Sequence, residues 1–172
     1  MKKTILFLCF SLLIQFSFAQ EKTTSFPENA VGIYKGSLHI NSPRGTQKIP
    51  MEFHMKKTDS LHKFTYVLLY NGSPRNYTLV VKDKEKGLYE VDENNGIVLP
   101  AKFANNTLYS FFEVQGNLLS SRMHFTNDGL DFEILFTATK NKTTTGGVSK
   151  DIPKVFGYPI SVVQKAILKK EK

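Results

Sequence analysis

From Val31 to Thr139 apolar and polar side chains alternate almost without a break, and turn-forming residues recur at short, even intervals. A side-chain period of two belongs to a β-strand with one face buried and the other in water. The stretch IPMEFHM shows the pattern plainly. Ile49, Met51, Phe53 and Met55 fall on one side, and Pro50, Glu52 and His54 on the other. Repeated along most of the chain, it commits the fold to a sheet with one oily face.

Nine strands are expected, over 32–41, 47–56, 63–70, 76–82, 88–92, 97–103, 107–115, 118–126 and 130–138. The connections NSPRG, NGSP, DKEKG, ENNG, NN, GN and NDG are rich in the residues that accept tight-turn backbone angles. Parallel neighbours need crossovers of about a dozen residues or more. These links are too short for that, so the sheet is an antiparallel up-and-down meander. A long meander with one apolar face must hide that face and both edges. Closing on itself does both. The expected fold class is therefore all-β, an antiparallel meander closing into a barrel or half-barrel of about 8–10 strands, with a short C-terminal tail; a two-sheet sandwich is the alternative. Pro50 and Pro100 interrupt strands two and six, so a bulge or an edge is expected at each.

The ends read differently. Residues 1–19 begin with Lys2 and Lys3, continue through an apolar run and finish on Ser17-Phe18-Ala19, the pattern of a secretory signal peptide cleaved before Gln20. The expectation is an exported protein, periplasmic or extracellular, with no membrane span after cleavage. Cys9, the single cysteine, lies inside that segment, which leaves the mature chain without thiol chemistry or a disulfide. Residues 20–30 are polar and read as a linker, 31–139 as the barrel domain, and 140–172 as a linker and C-terminal segment. Within the last, Ser161 and Gln164 suit a helix start, while Val162, Val163 and Pro159 suit an added strand. Both readings stay open.

Motifs of hydrolases, nucleotide binders and zinc proteases are missing, so the chain is expected to be non-enzymatic and to carry no cofactor. His39 and His54, on neighbouring strands, could approach each other and form a metal site with Glu52 or Glu133, but their spacing fits no ligand motif and a solvated role is expected. Asp131 and Glu133, like Glu90, Asp92 and Glu93, fall on wet faces where their acidity need not shift. Lys82, Lys84 and Lys86 alternate with Asp83 and Glu85, which argues against a nucleic-acid stripe. The formal charge of +8, less the two lysines of the signal, is modest and spread out.

The aromatic side chains carry the sharper expectation. Phe64, Tyr66 and Tyr70 share a face, with Tyr77 across the Asn-Gly turn. Inward phenols suit a pocket for an apolar or amphipathic small molecule. They also stabilise sheets by cross-strand pairing alone. The expected ligand-binding residues are Tyr34, Phe53, Phe64, Tyr66 and Tyr77, the expected partners a small apolar ligand or an envelope or protein partner on the rim. A solid-cored structural or interaction module is the competing reading.

GIYKG, at 32–36, opens the first strand. It resembles the opening Gly-x-Trp of the lipocalin-like (calycin) barrels, with Tyr34 where the indole stands. That resemblance implies an exported ligand-binding barrel whose closed end lies near Tyr34. Through IPMEFHM, DENNGI and SFFEVQGNLL the chain is also similar to a group of exported bacterial β-rich proteins of no established activity. This second likeness implies compartment and fold only.

Overall fold

The computed structural model describes residues 25–172. The expected signal peptide, and the linker up to residue 24, lie outside the described residues. Twelve strands follow a 3₁₀ turn at Glu28–Ala30, with a second such turn at Thr139–Asn141: β1 Gly32–Ser42, β2 Gly45–Lys57, β3 Lys63–Tyr70, β4 Ser73–Asp83, β5 Leu88–Asp92, β6 Val98–Ala104, β7 Thr107–Val114, β8 Asn117–Phe125, β9 Gly129–Ala138, β10 Thr143–Gly146, β11 Lys154–Gly157 and β12 Val162–Lys170. Ten of these close an antiparallel up-and-down barrel in the order β1-β12-β9-β8-β7-β6-β5-β4-β3-β2, and β10 and β11 form a separate two-stranded hairpin. All nine strands expected from the alternation are present within a few residues of their expected ends.

Closure depends on β12. It pairs with β1 from Tyr34↔Lys170 to Asn41↔Val163 and with β9 from Val162↔Phe136 to Lys169↔Gly129. The barrel thus extends beyond the expected boundary at 139, and the segment left open between helix and strand is a strand. Its inward side chains, Ala166 and Leu168, are buried, while Lys165, Ile167 and Lys169 face out. Flanked by two strands that need partners, the β-branched stretch gains more from two ladders than from a lone helix stripe. Gly36 makes room for this contact, because a Cβ there would strike the Ile167 carbonyl.

Turn chemistry sets the register. Asn71 and Gly72 have φ of 50° and 79°, Asn105 and Asn106 of 49° and 57°, and Gln115 and Gly116 of 49° and 73°. Positive φ at both central residues matches the twist of a hairpin, and asparagine and glycine accept it most readily. The two prolines sit at ladder ends. The Pro50 carbonyl accepts from the Asn71 amide at 2.9 Å, just past the last β3 pair at Tyr70. The Pro100 carbonyl accepts from Ser110 Oγ at 2.6 Å, one residue above the last β6–β7 pair, Ala101↔Ser110. Amide nitrogen and carbonyl of a strand residue point the same way, so each missing N–H falls where pairing stops. The register shift in the sheet lies elsewhere, in β4 between Val81 and Asp83.

One end of the barrel is plugged by residues 25–30, which sequence reading took for linker. Phe26 stacks on Phe103 at 3.9 Å and meets the edge of Tyr89 at 5.1 Å. Tyr34 donates its hydroxyl to the Ala30 carbonyl at 2.8 Å, and Tyr89 donates to the Phe26 carbonyl at 3.2 Å. A lone phenylalanine among polar residues has no periodicity to announce it. Above the plug lies a core that includes Leu38, Met51, Phe53, Met55, Leu79 and Leu168.

The outer wall is charged, with cross-strand pairs such as Lys82–Glu90 at 3.2 Å and Lys165–Glu133 at 2.8 Å. Such exposed pairs add little stability. They share the wall with exposed apolar side chains such as Phe111 and Ile167. Among the described residues, no helix is long and apolar enough to cross a membrane. Phe26→Ala, which empties the plug, is expected to destabilise the barrel by about 3–5 kcal/mol, read as a lower urea midpoint with an unchanged slope.

Candidate functional site

Burial along the inward face is graded. Near the plug the inward residues Tyr34, Phe53, Met55, Phe64, Leu130 and Leu168 are buried. Toward the opposite end the same strands present Ile40, Ile49, Tyr70, Tyr77, Leu99 and Ile134, all half-buried. These residues belong to the same ladders, so the difference arises at the side chains: water reaches them through the end without a plug. The inward face is tightly packed at the plugged end and partly exposed at the other.

The mouth lies where β1 turns into β2, β3 into β4, β5 into β6 and β7 into β8, and where β9 leaves toward the β10–β11 hairpin. Its lining is apolar with a few polar groups. Ser110 and Ser121 pair across β7 and β8, and Gln164 stands between Ile40 and Ile134. Above Pro100 the β6–β7 ladder has ended, so the wall there is notched beside the inward Leu99 and Phe112. Outside the same seam, Leu88, Pro100, Tyr109 and Phe111 line a groove of ≈ 480 Å³.

Four of the expected ligand residues form a column of rings from core to mouth. Tyr34 and Phe53 are 5.7 Å apart, Phe53 and Tyr66 4.9 Å, and Tyr66 and Tyr77 6.2 Å. Tyr34, Phe53 and Tyr66 are enclosed by protein, and the Tyr66 hydroxyl donates to the Met123 sulfur at 2.7 Å. Only Tyr77 reaches the mouth. Phe64 stands apart at the plugged end, beside a crevice of ≈ 110 Å³ shared with Glu28, Lys57 and Leu61.

Arg75 is the residue that sequence reading missed. It pairs with Leu68 across β3–β4 and shares a face with Tyr77, Leu79 and Val81, which puts it on the inward side at the rim. Its charge is felt by both Tyr70 and Tyr77, and it counters the rise in their acidity constants. Among the described residues, no carboxylate pairs with Arg75, and the hydroxyls of Tyr70 and Tyr77 have no hydrogen-bond partner. Strand four was expected to begin at Asn76. Extending its period of two by a single residue would have found Arg75.

Burial dominates the phenol acidities. It pushes Tyr34 and Tyr89 up to about 12, the latter helped by Glu28. Tyr66 and Tyr70 are raised further by the same cause, and Tyr77 is raised by burial and then by Glu93. All five are neutral hydrogen-bond donors near neutrality.

The outer wall offers less. His39 pairs with Lys48 and His54 with Ile33, six rungs apart along β1, so the two histidines do not approach each other. His54 instead meets Glu52 at 2.7 Å, and His124 meets the Thr107 hydroxyl at 2.9 Å. No group of three or more metal-ligating side chains occurs among the described residues. A groove of ≈ 560 Å³ lies over Ser37, His39, Arg122, Asp131, Glu133 and Lys165, but its charges are mixed and Glu133 already holds Lys165. Comparison of the chain with protein-family models and with curated proteins finds no match in either.

Tyr34 and Tyr89 give the fold a pH limit. Their folded acidity constants lie above the ordinary value of 10.0, so the native state keeps protons that the unfolded chain releases. Their contribution to stability is complete below pH 10 and is lost as pH rises through about 12. Urea midpoints are expected to fall over that window. Tyr34→Phe and Tyr89→Phe together should flatten the fall.

Proposed function

We propose that the chain is an exported, non-enzymatic, lipocalin-like barrel that holds one small amphipathic molecule on its inward face at the unplugged end. The apolar body lies against Ile40, Ile49, Leu99 and Ile134, and a polar head meets the rim. Arg75 carries this reading: an exposed rim residue on the inward parity of β4, without an ion-pair partner among the described residues, whose charge is felt by Tyr70 and Tyr77. An arginine so placed favours an acceptor-rich head, and a carboxylate fits its fork best. All three donors belong to the neighbouring strands β3 and β4, so a head held there would leave the tail along the apolar inward face.

The competing reading, a solid module without ligand, draws on the packed lower half. The two part on simple measurements. Protein purified from its own host is expected to show a co-purifying mass in native mass spectrometry and to bind a fluorescent fatty acid. A bare polypeptide that also excludes the probe would contradict the ligand reading. Arg75→Gln is expected to weaken a medium-chain carboxylic acid about ten- to a hundredfold, as loss of a charge-assisted hydrogen bond does, and to leave the matching alcohol nearly unchanged. Export is checked by sequencing the N-terminus of the mature protein, which is expected to begin at Gln20.

A further inference from the structure

We propose that the segment 139–161, with the β10–β11 hairpin at its centre, is a docking element for an anionic lipid surface. Whether the barrel holds a ligand does not enter this proposal. The hairpin has almost no support from the barrel. Every residue of β10 is exposed, and in β11 only Gly157 is less than exposed. A two-stranded ribbon standing alone in water is marginal, so a surface that takes it up would add to its stability.

Its side chains state what that surface is. Val148, Ile152, Val155, Phe156, Tyr158 and Ile160 are exposed by between 41% and 83%. Among them stand Lys140, Lys142, Lys150 and Lys154, against the single acid Asp151. None of the four lysines takes part in an ion pair among the described residues, and Lys142 lies over the Phe156 ring at 4.6 Å. Unpaired cations beside exposed apolar and aromatic groups match the boundary of an anionic bilayer, where the ammonium groups meet headgroups and the apolar groups enter the acyl edge.

The placement of the apolar groups favours a fluid over a folded partner. Val155 and Phe156 are neighbours in β11 and project from opposite faces of the ribbon, while Val148 and Ile152 lie in the turn between the strands. A rigid protein surface covers one face of a ribbon. A lipid interface wets both faces and the tip together. The root is fixed to the barrel rim, with the Ser161 amide donating to the Phe136 carbonyl at 3.0 Å and Thr137 Oγ1 to the Pro159 carbonyl at 2.7 Å. Docking would therefore bring the unplugged end near the membrane.

The chain contains no tryptophan, so a single introduced indole reports on its own position. Phe156→Trp and Val155→Trp, each in the full chain, are titrated with phosphatidylcholine vesicles, with vesicles about one-third phosphatidylglycerol, and with polyglutamate. The expected result is a blue shift of both indoles with the anionic vesicles only, reversed between about 0.1 M and 0.5 M salt. Lys142→Gln, Lys150→Gln and Lys154→Gln are expected to weaken vesicle binding about fivefold each, with circular dichroism unchanged. No shift with anionic vesicles overturns the proposal. So does a shift of one indole alone, or an equal shift with polyglutamate, which would point to an acidic polypeptide.

Discussion

Everything in this molecule depends on the double pairing of β12. Without it β1 and β9 are two open sheet edges, each presenting unpaired N–H and C=O groups to any passing strand. With it each of the ten barrel strands has a partner on both sides. The pairing joins the first strand of the barrel to the last, the longest separation the chain offers, so it carries the largest loop-closure cost. It also secures the plug. Lys170 Nζ reaches the Asn29 carbonyl at 3.3 Å, and the Glu171 amide donates to the Ile33 carbonyl at 2.8 Å. Sealing the wall and sealing the floor are one event.

The tyrosines show how one residue type serves two ends. At the floor, Tyr34 and Tyr89 use their hydroxyls as staples to the plug backbone, and above them Tyr66 spends its proton on Met123. A buried phenol needs such a partner. Tyr70 and Tyr77 have none within the described protein, and they stand where water enters. The same alternation that builds the core thus ends in half-buried phenols, with Arg75 on the same inward parity at the rim. Packing grades into partial exposure along a single face.

The repeated core was legible in the sequence because its signal is local: residues two apart look the same way, and Asn-Gly or Asn-Asn marks the reversal. Three features were not, for different reasons. Phe26 is one apolar residue in a polar stretch, and only the stack on Phe103 reveals its use. Val162–Lys170 has a strand composition that also suits a short amphipathic helix, and only the two waiting neighbours decide between them. Arg75 was readable in principle, since 75, 77, 79 and 81 share parity, but it falls between the turn NGSP and the strand expected from Asn76. Thr137 shows the same limit from the other side: it faces outward and is still buried, because residues near Pro159 lie over it. Period tells which way a side chain points, not what a distant segment will place on it.

The central proposal, a ligand held on the inward face at the unplugged end, is tested most directly by intermolecular nuclear Overhauser effects between the labelled protein and a medium-chain carboxylic acid. The account predicts contacts from the acid's methylene protons to Ile40, Ile134 and the rings of Tyr70 and Tyr77, and none to Phe26. Contacts confined to the outer wall, or a spectrum unchanged at millimolar acid, would contradict it.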